Sequence, residues 1–109
     1  MNNGADTGRM RLRRGNLYFT AALHGRYFGG VEAVILLRED ADLLIMPVAH
    51  AAAGGYLIKL RNRAGDRVIH GADFFRNHGL GDEQEFSFTP RWCQTRSALV
   101  ADGLFHNNM

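Results

Sequence analysis

The chain has one cysteine and one lysine, and each shortage limits the chemistry open to it. Cys93 is the only cysteine among 109 residues, so an intrachain disulfide and a zinc site built from several cysteines are excluded. We expect Cys93 to be a small apolar residue packed beside Trp92. Because Lys59 is the only lysine, arginine carries almost all of the positive charge, and arginine suits bidentate contacts with phosphate or carboxylate.

Long apolar runs are also missing. No apolar stretch approaches the roughly 20 residues of a membrane-spanning helix, and residues 1–8 lack the apolar core of a signal peptide. We therefore expect a cytoplasmic protein with no membrane partner. The apolar content of 46%, with seven Phe, three Tyr and one Trp, is enough to form one folded domain over residues 1–109.

Sequence motifs for catalysis and nucleotide binding are absent. The glycine pairs at 29–30 and 54–55 lack the Gly-Lys-Ser/Thr of a P-loop and the spaced glycines of a dinucleotide-binding fold. No serine stands in the G-x-S-x-G context of a hydrolase nucleophile. We therefore expect a non-enzymatic binding protein with no catalytic residue, no metal and no cofactor.

The five histidines keep a small ligand-binding or enzymatic pocket open as an alternative, because histidine titrates near neutral pH. His70 and His78 flank a predicted strand-to-helix junction, and Asp73 lies between them. The three residues are candidate lining for a pocket between two halves of the chain. Their spacing matches no standard set of metal ligands, and each position is also ordinary for a strand end or a short helix.

Hydrophobic patterning predicts mostly β structure with short helices, an α+β class. The first half, residues 10–48, is predicted to contain a strand at 17–20, a helix at 21–28, and strands at 31–37 and 43–48. The second half, residues 56–101, is predicted to contain a strand at 67–70, a helix at 72–78, and strands at 83–89 and 97–101. A Gly/Ala linker at 49–55 joins the halves, and flexible termini are expected at 1–8 and 102–109.

The two halves match when one is shifted by fifty residues. The shift places Gly15 on Gly65, Asn16 on Asp66, Tyr18-Phe19 on Val68-Ile69, Ala22 on Ala72, Arg26 on Arg76 and Gly29 on Gly79. A β-turn-helix-β-β half of about 40 residues leaves one apolar face that needs a partner. We therefore expect two tandem halves that pack together as one barrel-like domain.

The segment Gly65 to Leu80 resembles the signature of swapped-hairpin AbrB-like transcription regulators. It consists of Gly-Asp-Arg-Val-Ile-His followed by Ala-Asp-Phe-Phe-Arg-Asn-His-Gly-Leu. The doubled arrangement over residues 10–101 is similar to the MraZ branch, although Asp66 stands where the family usually has arginine after glycine. The resemblance implies strand pairing between chains, hence a homo-oligomer, and binding to duplex DNA.

The arginines form two clusters that suit this function. Four arginines lie in the first fifteen residues against Asp6 alone, while the rest of the chain has 9 basic and 10 acidic residues, which places the excess charge on an N-terminal arm or edge strand. Arg61 and Arg63 share one face beside a predicted turn. The candidate DNA-binding residues are Arg9, Arg11, Arg13, Arg14, Arg61, Arg63 and Arg67. We expect the clusters to occupy corresponding places in the two halves and to contact phosphates, while paired strands reach bases.

A protein-interaction module or small subunit of an assembly is the alternative function. Apart from the arginine clusters the chain is near neutral, which is less basic than many DNA-binding domains. An exposed sheet edge, or the apolar hairpin that contains residues 31–37, would then contact a protein partner. In that case the arginines would pair with neighbouring carboxylates.

Overall fold

The computed structural model describes residues 8–50 and 54–105, which contain ten strands and two short helices. In chain order the elements are β1 (Met10–Arg13), β2 (Asn16–Phe19), α1 (Ala21–Tyr27), β3 (Ala33–Glu39), β4 (Asp42–Val48), β5 (Tyr56–Leu57), β6 (Lys59–Leu60), β7 (Arg67–His70), α2 (Ala72–Asn77), β8 (Glu85–Phe88), β9 (Arg91–Cys93) and β10 (Ala98–Ala101). The expected mostly-β class with short helices is confirmed.

The strands form two antiparallel sheets of five strands each. Sheet A has the order β6-β7-β2-β1-β8, and sheet B has the order β5-β3-β4-β10-β9. Residues 56–60 supply β5 to one sheet and β6 to the other, and residues 85–93 supply β8 and β9 in the same way. Strands that change sheets at a bend form the corners of orthogonally packed sheets. Within the described residues neither sheet closes, so the expected barrel is not confirmed.

The core fills the space between the sheets. In β1, Met10 and Leu12 are buried and Arg11 and Arg13 are exposed, which is the alternation of a strand with one solvent-facing side. The largest fully buried side chains of the main cluster are Phe28, Phe75, Met10, Leu12, Leu17, Leu23, Leu43, Ile45, Ile69, Leu99 and Val34. Burial of one such side chain stabilises the fold by about 1.5–3 kcal/mol.

The two helices begin differently. The hydroxyl of Thr20 accepts a hydrogen bond from the Leu23 amide at 3.2 Å and caps α1, an interaction that typically contributes about 1 kcal/mol. Helix α2 follows Gly71 without a side-chain cap. Gly79, just beyond α2, has a φ of +90°, so it ends the helix as the sequence predicted. Neither helix in the described part of the chain is long and apolar enough to cross a membrane.

Two sequence-based expectations about the chain ends are wrong. The first arginine-rich segment is not an arm or edge strand, because β1 lies inside sheet A between β2 and β8 and buries Met10 and Leu12. The C-terminal tail is not frayed at 102–105, because Leu104 and Phe105 are buried. Residues 1–7, 106–109 and the linker positions 51–53 lie outside the described residues.

The hairpins β1–β2 and β6–β7 meet through the pairing of β2 with β7. Tyr18 pairs with Val68, and the neighbouring pairs are Leu17 with Ile69 and Phe19 with Arg67. If fifty is added to each residue number of β2 and subtracted from each residue number of β7, the same pairs result. Every antiparallel pair has a local two-fold axis between its two backbones, and here that axis passes through the pair of Tyr18 and Val68.

Hydrogen bonds between the hairpins flank this pairing on both sides. The Ala21 amide, at the start of α1, donates to Asp66 Oδ1 at 3.0 Å in the turn of the other hairpin. The Gly71 amide, just before α2, donates to the Gly15 carbonyl at 2.9 Å. Each helix therefore begins against the turn of the opposite hairpin.

Replacement of Gly15 tests how much the fold depends on this close approach. Gly15 has a φ of +78°, and a Cβ there would lie 2.4 Å from Ala72 Cα. Gly30 has a φ of +80° with no atom within 4 Å of the same added carbon. We expect Gly30→Ala to cost about 1–2 kcal/mol through backbone strain alone, and Gly15→Ala to cost clearly more. Urea unfolding followed by Trp92 fluorescence measures both losses, and equal losses would show that the hairpins need no close contact.

Candidate functional site

The solvent-facing side of sheet A, here called the outer face of sheet A, carries a row of registered side chains. Across the five strands the row is Lys59, Val68, Tyr18, Arg11 and Ser87. Residues in register on neighbouring strands lie on the same side of a sheet. Because Arg11 is exposed and its neighbours Met10 and Leu12 are buried, this row lies on the side of sheet A away from the main core, although Val68 within it is only 6% exposed.

Rows on either side of this one add further basic side chains. Arg13 is exposed and lies two residues from Arg11 on β1, so it projects to the same side. Arg61 lies two residues beyond Lys59, and its amide donates to the Asp66 carbonyl at 2.7 Å, which continues the ladder of β6 and β7. Both sequence clusters therefore contribute to one face.

An open depression of about 310 Å³ brings the two clusters together on this face. Its lining includes Arg9, Arg11 and Arg61 with Tyr18 and Asp66. The Arg61 guanidinium carbon lies 4.6 Å from the centre of the Tyr18 ring. Such a cation–π contact is typically worth about 0.5–1 kcal/mol at an exposed site. It holds the positive charge of Arg61, which lies just beyond β6, above the central strand β2.

The carboxylate of Glu85 partly neutralises the face. Arg11 Nε donates to Glu85 Oε2 at 2.8 Å on the neighbouring strand β8. This hydrogen bond lowers the pKa of Glu85, and the charges of Arg11, Arg13 and Arg14 lower it further. Glu85 is therefore ionised at neutral pH and competes with any other anion for Arg11.

The remaining predicted arginines are placed differently. Arg14 and Arg63 are exposed in the turns of the two hairpins. Arg67 registers with Phe19 and Leu60, so its side chain lies on the opposite side of sheet A from the basic row. Its Nε donates to the Gly65 carbonyl at 3.0 Å. Arg67 therefore does not join Arg61 on the outer face.

Lys59 belongs to the basic row, and the sequence interpretation missed it. A signal was present, because the shift of fifty residues places Arg9 on Lys59, Arg11 on Arg61 and Arg13 on Arg63. Basic residues thus alternate along the first strand of each half. The alternation was overlooked because β6 has only two residues and follows the short β5.

His70, Asp73 and His78 each have a different partner. His70 Nδ1 lies 2.9 Å from Asn16 Oδ1 on the outer face of sheet A. Asp73 Oδ1 accepts a hydrogen bond from the Tyr56 hydroxyl at 3.2 Å. The His78 ring packs against Phe74 with centroids 4.5 Å apart. In residues 8–50 and 54–105 no three His, Cys, Asp or Glu side chains are grouped as they would be around a metal ion.

The solvent-facing side of sheet B, here called the outer face of sheet B, is apolar. Leu37 registers with Leu44, which registers with Val100, and Leu37 is 42% exposed. Leu44 and Val100 form a small buried cluster with Ala98, and the half-buried Cys93 packs against it. Arg91 pairs with Asp102 and Arg96 pairs with Glu39.

A second depression, of about 430 Å³, lies beside Trp92. Tyr27 stacks on Trp92 with ring centroids 5.8 Å apart, and Arg26 lies 5.3 Å above the Tyr27 ring. The Trp92 indole N–H already donates to Gln94 Oε1 at 2.9 Å. The bottom of this depression therefore offers an aromatic surface without a free donor from Trp92.

Comparison of the chain with protein-family models, with curated proteins and with solved structures finds no match.

His24, on α1, makes the stability of the fold dependent on pH. Burial lowers the pKa of His24 from its ordinary 6.5, and the nearby Arg67 lowers it further. As pH falls below about 6.5 the unfolded chain takes up this proton before the folded chain does. Stability is therefore complete above that pH and decreases below it, until folded His24 is also protonated.

We expect His24→Gln to reduce this loss of stability. Urea midpoints at pH 7.5 and pH 5.5 should lie closer together in the variant than in the wild type. His50→Gln, which changes an exposed residue beyond β4, is the control and should keep the wild-type difference. A His24→Gln protein that loses as much stability as the wild type would contradict this assignment.

Proposed function

We propose that this protein binds duplex DNA through the outer face of sheet A. The supporting observation is that this face concentrates the charge, whereas the whole chain has a formal net charge of only +2. The basic side chains on the face are Arg9, Arg11, Arg13, Lys59 and Arg61. Its acidic side chains are Asp66 and Glu85. A basic patch on one face is the electrostatic footprint of a nucleic-acid-binding domain.

The spread of the charges favours a polymeric anion over a small one. Arg11 on β1 and Lys59 on β6 are separated by three strand-to-strand intervals, which is about 14 Å at the usual strand spacing. One phosphate group cannot contact both side chains at that distance. The two phosphate backbones that border a DNA groove can contact both side chains, because the major groove is about 12 Å wide.

The exchange of strands between halves supports the relation to AbrB-like regulators. Strand β8, from the second half, pairs with β1 of the first, and β3, from the first half, pairs with β5 of the second. In each half, therefore, the strand that follows the helix pairs with the first strand of the other half. Together with the likeness of residues 65–80 to the AbrB signature, this arrangement supports a tandem repeat and a regulatory role on DNA.

Self-association through the outer face of sheet B is a second candidate function. Leu37 is 42% exposed in a row that continues through Leu44 and Val100. Leu44 and Val100 are themselves buried, so Leu37 is the exposed apolar side chain of this row, and exposed apolar surface is typical of protein interfaces. Sedimentation of the wild type and of Leu37→Asp tests it: the variant should be monomeric at concentrations where the wild type associates.

The salt dependence of DNA binding tests the main proposal. Each lost phosphate contact reduces the slope of log K against log salt concentration by about one unit. We therefore expect the Arg11→Ala/Arg61→Ala double variant to lose about two units. Arg76→Ala removes an exposed charge that lies on α2 and pairs with Asp82, and should keep the wild-type slope. If the wild type shows no salt-dependent binding at low ionic strength, the proposal fails.

Removal of Glu85 should have the opposite effect. Glu85→Gln releases Arg11 from its hydrogen-bonded carboxylate and removes a negative charge from the face, so DNA affinity should rise and the salt slope should steepen. Asp82→Asn is the matched control, because Asp82 pairs with Arg76 at 3.9 Å instead. Equal effects of the two variants would show that only net charge matters and not the outer face.

A further inference from the structure

We infer that a single chain contacts both backbones of the DNA major groove through two basic sets related by its internal two-fold axis, with β2 and β7 in the groove. This inference rests on the proposed function. It specifies which groove of the duplex is contacted, how many chains bind one site, and which phosphates each half contacts.

The register of sheet A relates the two basic sets. The local two-fold axis exchanges Tyr18 with Val68. Arg11 registers with Tyr18, and Lys59 registers with Val68, so the axis also exchanges Arg11 with Lys59. The charges on β1 and β6 thus lie at equal distances on opposite sides of the axis.

A second pair of charges follows the same rule. Arg13 registers with Asn16, and the shift of fifty residues carries Asn16 onto Asp66. Arg61 stands opposite Asp66, since its amide donates to the Asp66 carbonyl. The axis therefore exchanges Arg13 with Arg61, and each side of the face has two basic residues at matching positions.

Duplex DNA has the same local symmetry. A two-fold axis perpendicular to the helix relates its two backbones, so the phosphates on opposite sides of one groove are symmetric about the centre of that groove. Proteins that use a two-fold axis on DNA usually obtain it from two copies of a chain. Here the two halves supply the symmetry within one chain, so one chain can occupy one complete site.

The dimensions of the central strands favour the major groove. This groove admits a two-stranded β-ribbon, whereas the minor groove is only about 6 Å wide. The pair β2 and β7 is such a ribbon, and the basic strands β1 and β6 flank it on either side. With the ribbon in the groove, the flanking side chains reach the two backbones.

The side chains nearest the axis do not share the symmetry of the charges. The axis exchanges Tyr18 with Val68 and Asn16 with Asp66, and these pairs differ in chemistry. The Asn16 amide can both donate and accept hydrogen bonds, and it already contacts His70 Nδ1 at 2.9 Å and the Tyr18 hydroxyl at 3.4 Å, whereas a carboxylate at position 66 only accepts them. The phosphate contacts are therefore symmetric while the base preference is asymmetric, and one orientation on a chosen sequence is favoured.

Ethylation interference on a duplex selected from a random library tests this arrangement with the full chain. We expect two groups of sensitive phosphates, one on each strand, facing each other across the major groove. Arg11→Ala should remove one group and Lys59→Ala the other, each with a loss of about one unit of salt slope. Arg76→Ala should keep both groups, and native mass spectrometry should show one chain per site.

The possible failures are distinguishable. Interference confined to one strand, or two chains on every occupied site in a Leu37→Asp background that blocks association through sheet B, would overturn the inference and leave DNA binding itself intact. Loss of the same phosphates in both single variants would also overturn it. If the wild type binds no duplex in a salt-dependent way, the proposed function fails and the inference fails with it. Circular dichroism of each variant, with Arg11→Gln as a second substitution, separates lost contacts from lost folding.

Discussion

The pairing of β2 with β7 is the interaction on which the rest of the structure depends. It joins the two hairpins of sheet A, and its inward side chains, among them Leu17 and Ile69, belong to the main core. It also brings each hairpin turn against the start of the other half's helix, where the amides of Ala21 and Gly71 donate across the interface. A shift of this register by one residue would turn the core side chains of one hairpin toward solvent while those of the other stayed inside.

This pairing also decides where charge accumulates. Because β2 and β7 occupy the centre of sheet A, the arginine-rich β1 and the shorter β6 lie outside them. Alternation along β1 places apolar groups inward and basic groups outward, and both residues of β6 are exposed. The opposite side of the molecule, the outer face of sheet B, is apolar around Leu37 and Leu44. The two proposed activities therefore use different faces, and association of chains through sheet B would raise DNA affinity through avidity without changing any contact on sheet A.

Local sequence patterns predicted the elements well and their long-range partners poorly. The strand at 67–70 and the helix beginning at residue 21 were predicted where they occur, because turn glycines and short apolar runs mark them. The interior position of β1 was missed, since alternation of arginine with apolar residues fits both an edge strand and one covered by a distant partner such as β8. Arg67 lies on the side of sheet A opposite to Arg61 because it pairs with the core residue Phe19 of β2. The pairing of Lys59 with Val68 makes the second hairpin turn longer than the first. The sequence showed the turn but could not fix its register.

The differences between the halves have a physical meaning of their own. Basic side chains stand on both sides of the axis, as Arg11 with Lys59 and Arg13 with Arg61, while the central pair of Tyr18 and Val68 differs in size and polarity. The two backbones of a duplex are chemically identical whatever its sequence, but the base pairs between them are not symmetric in most sequences. In the proposed complex with DNA, a face that is symmetric in its outer charges and asymmetric at its centre would contact any duplex through its phosphates and be oriented by the bases.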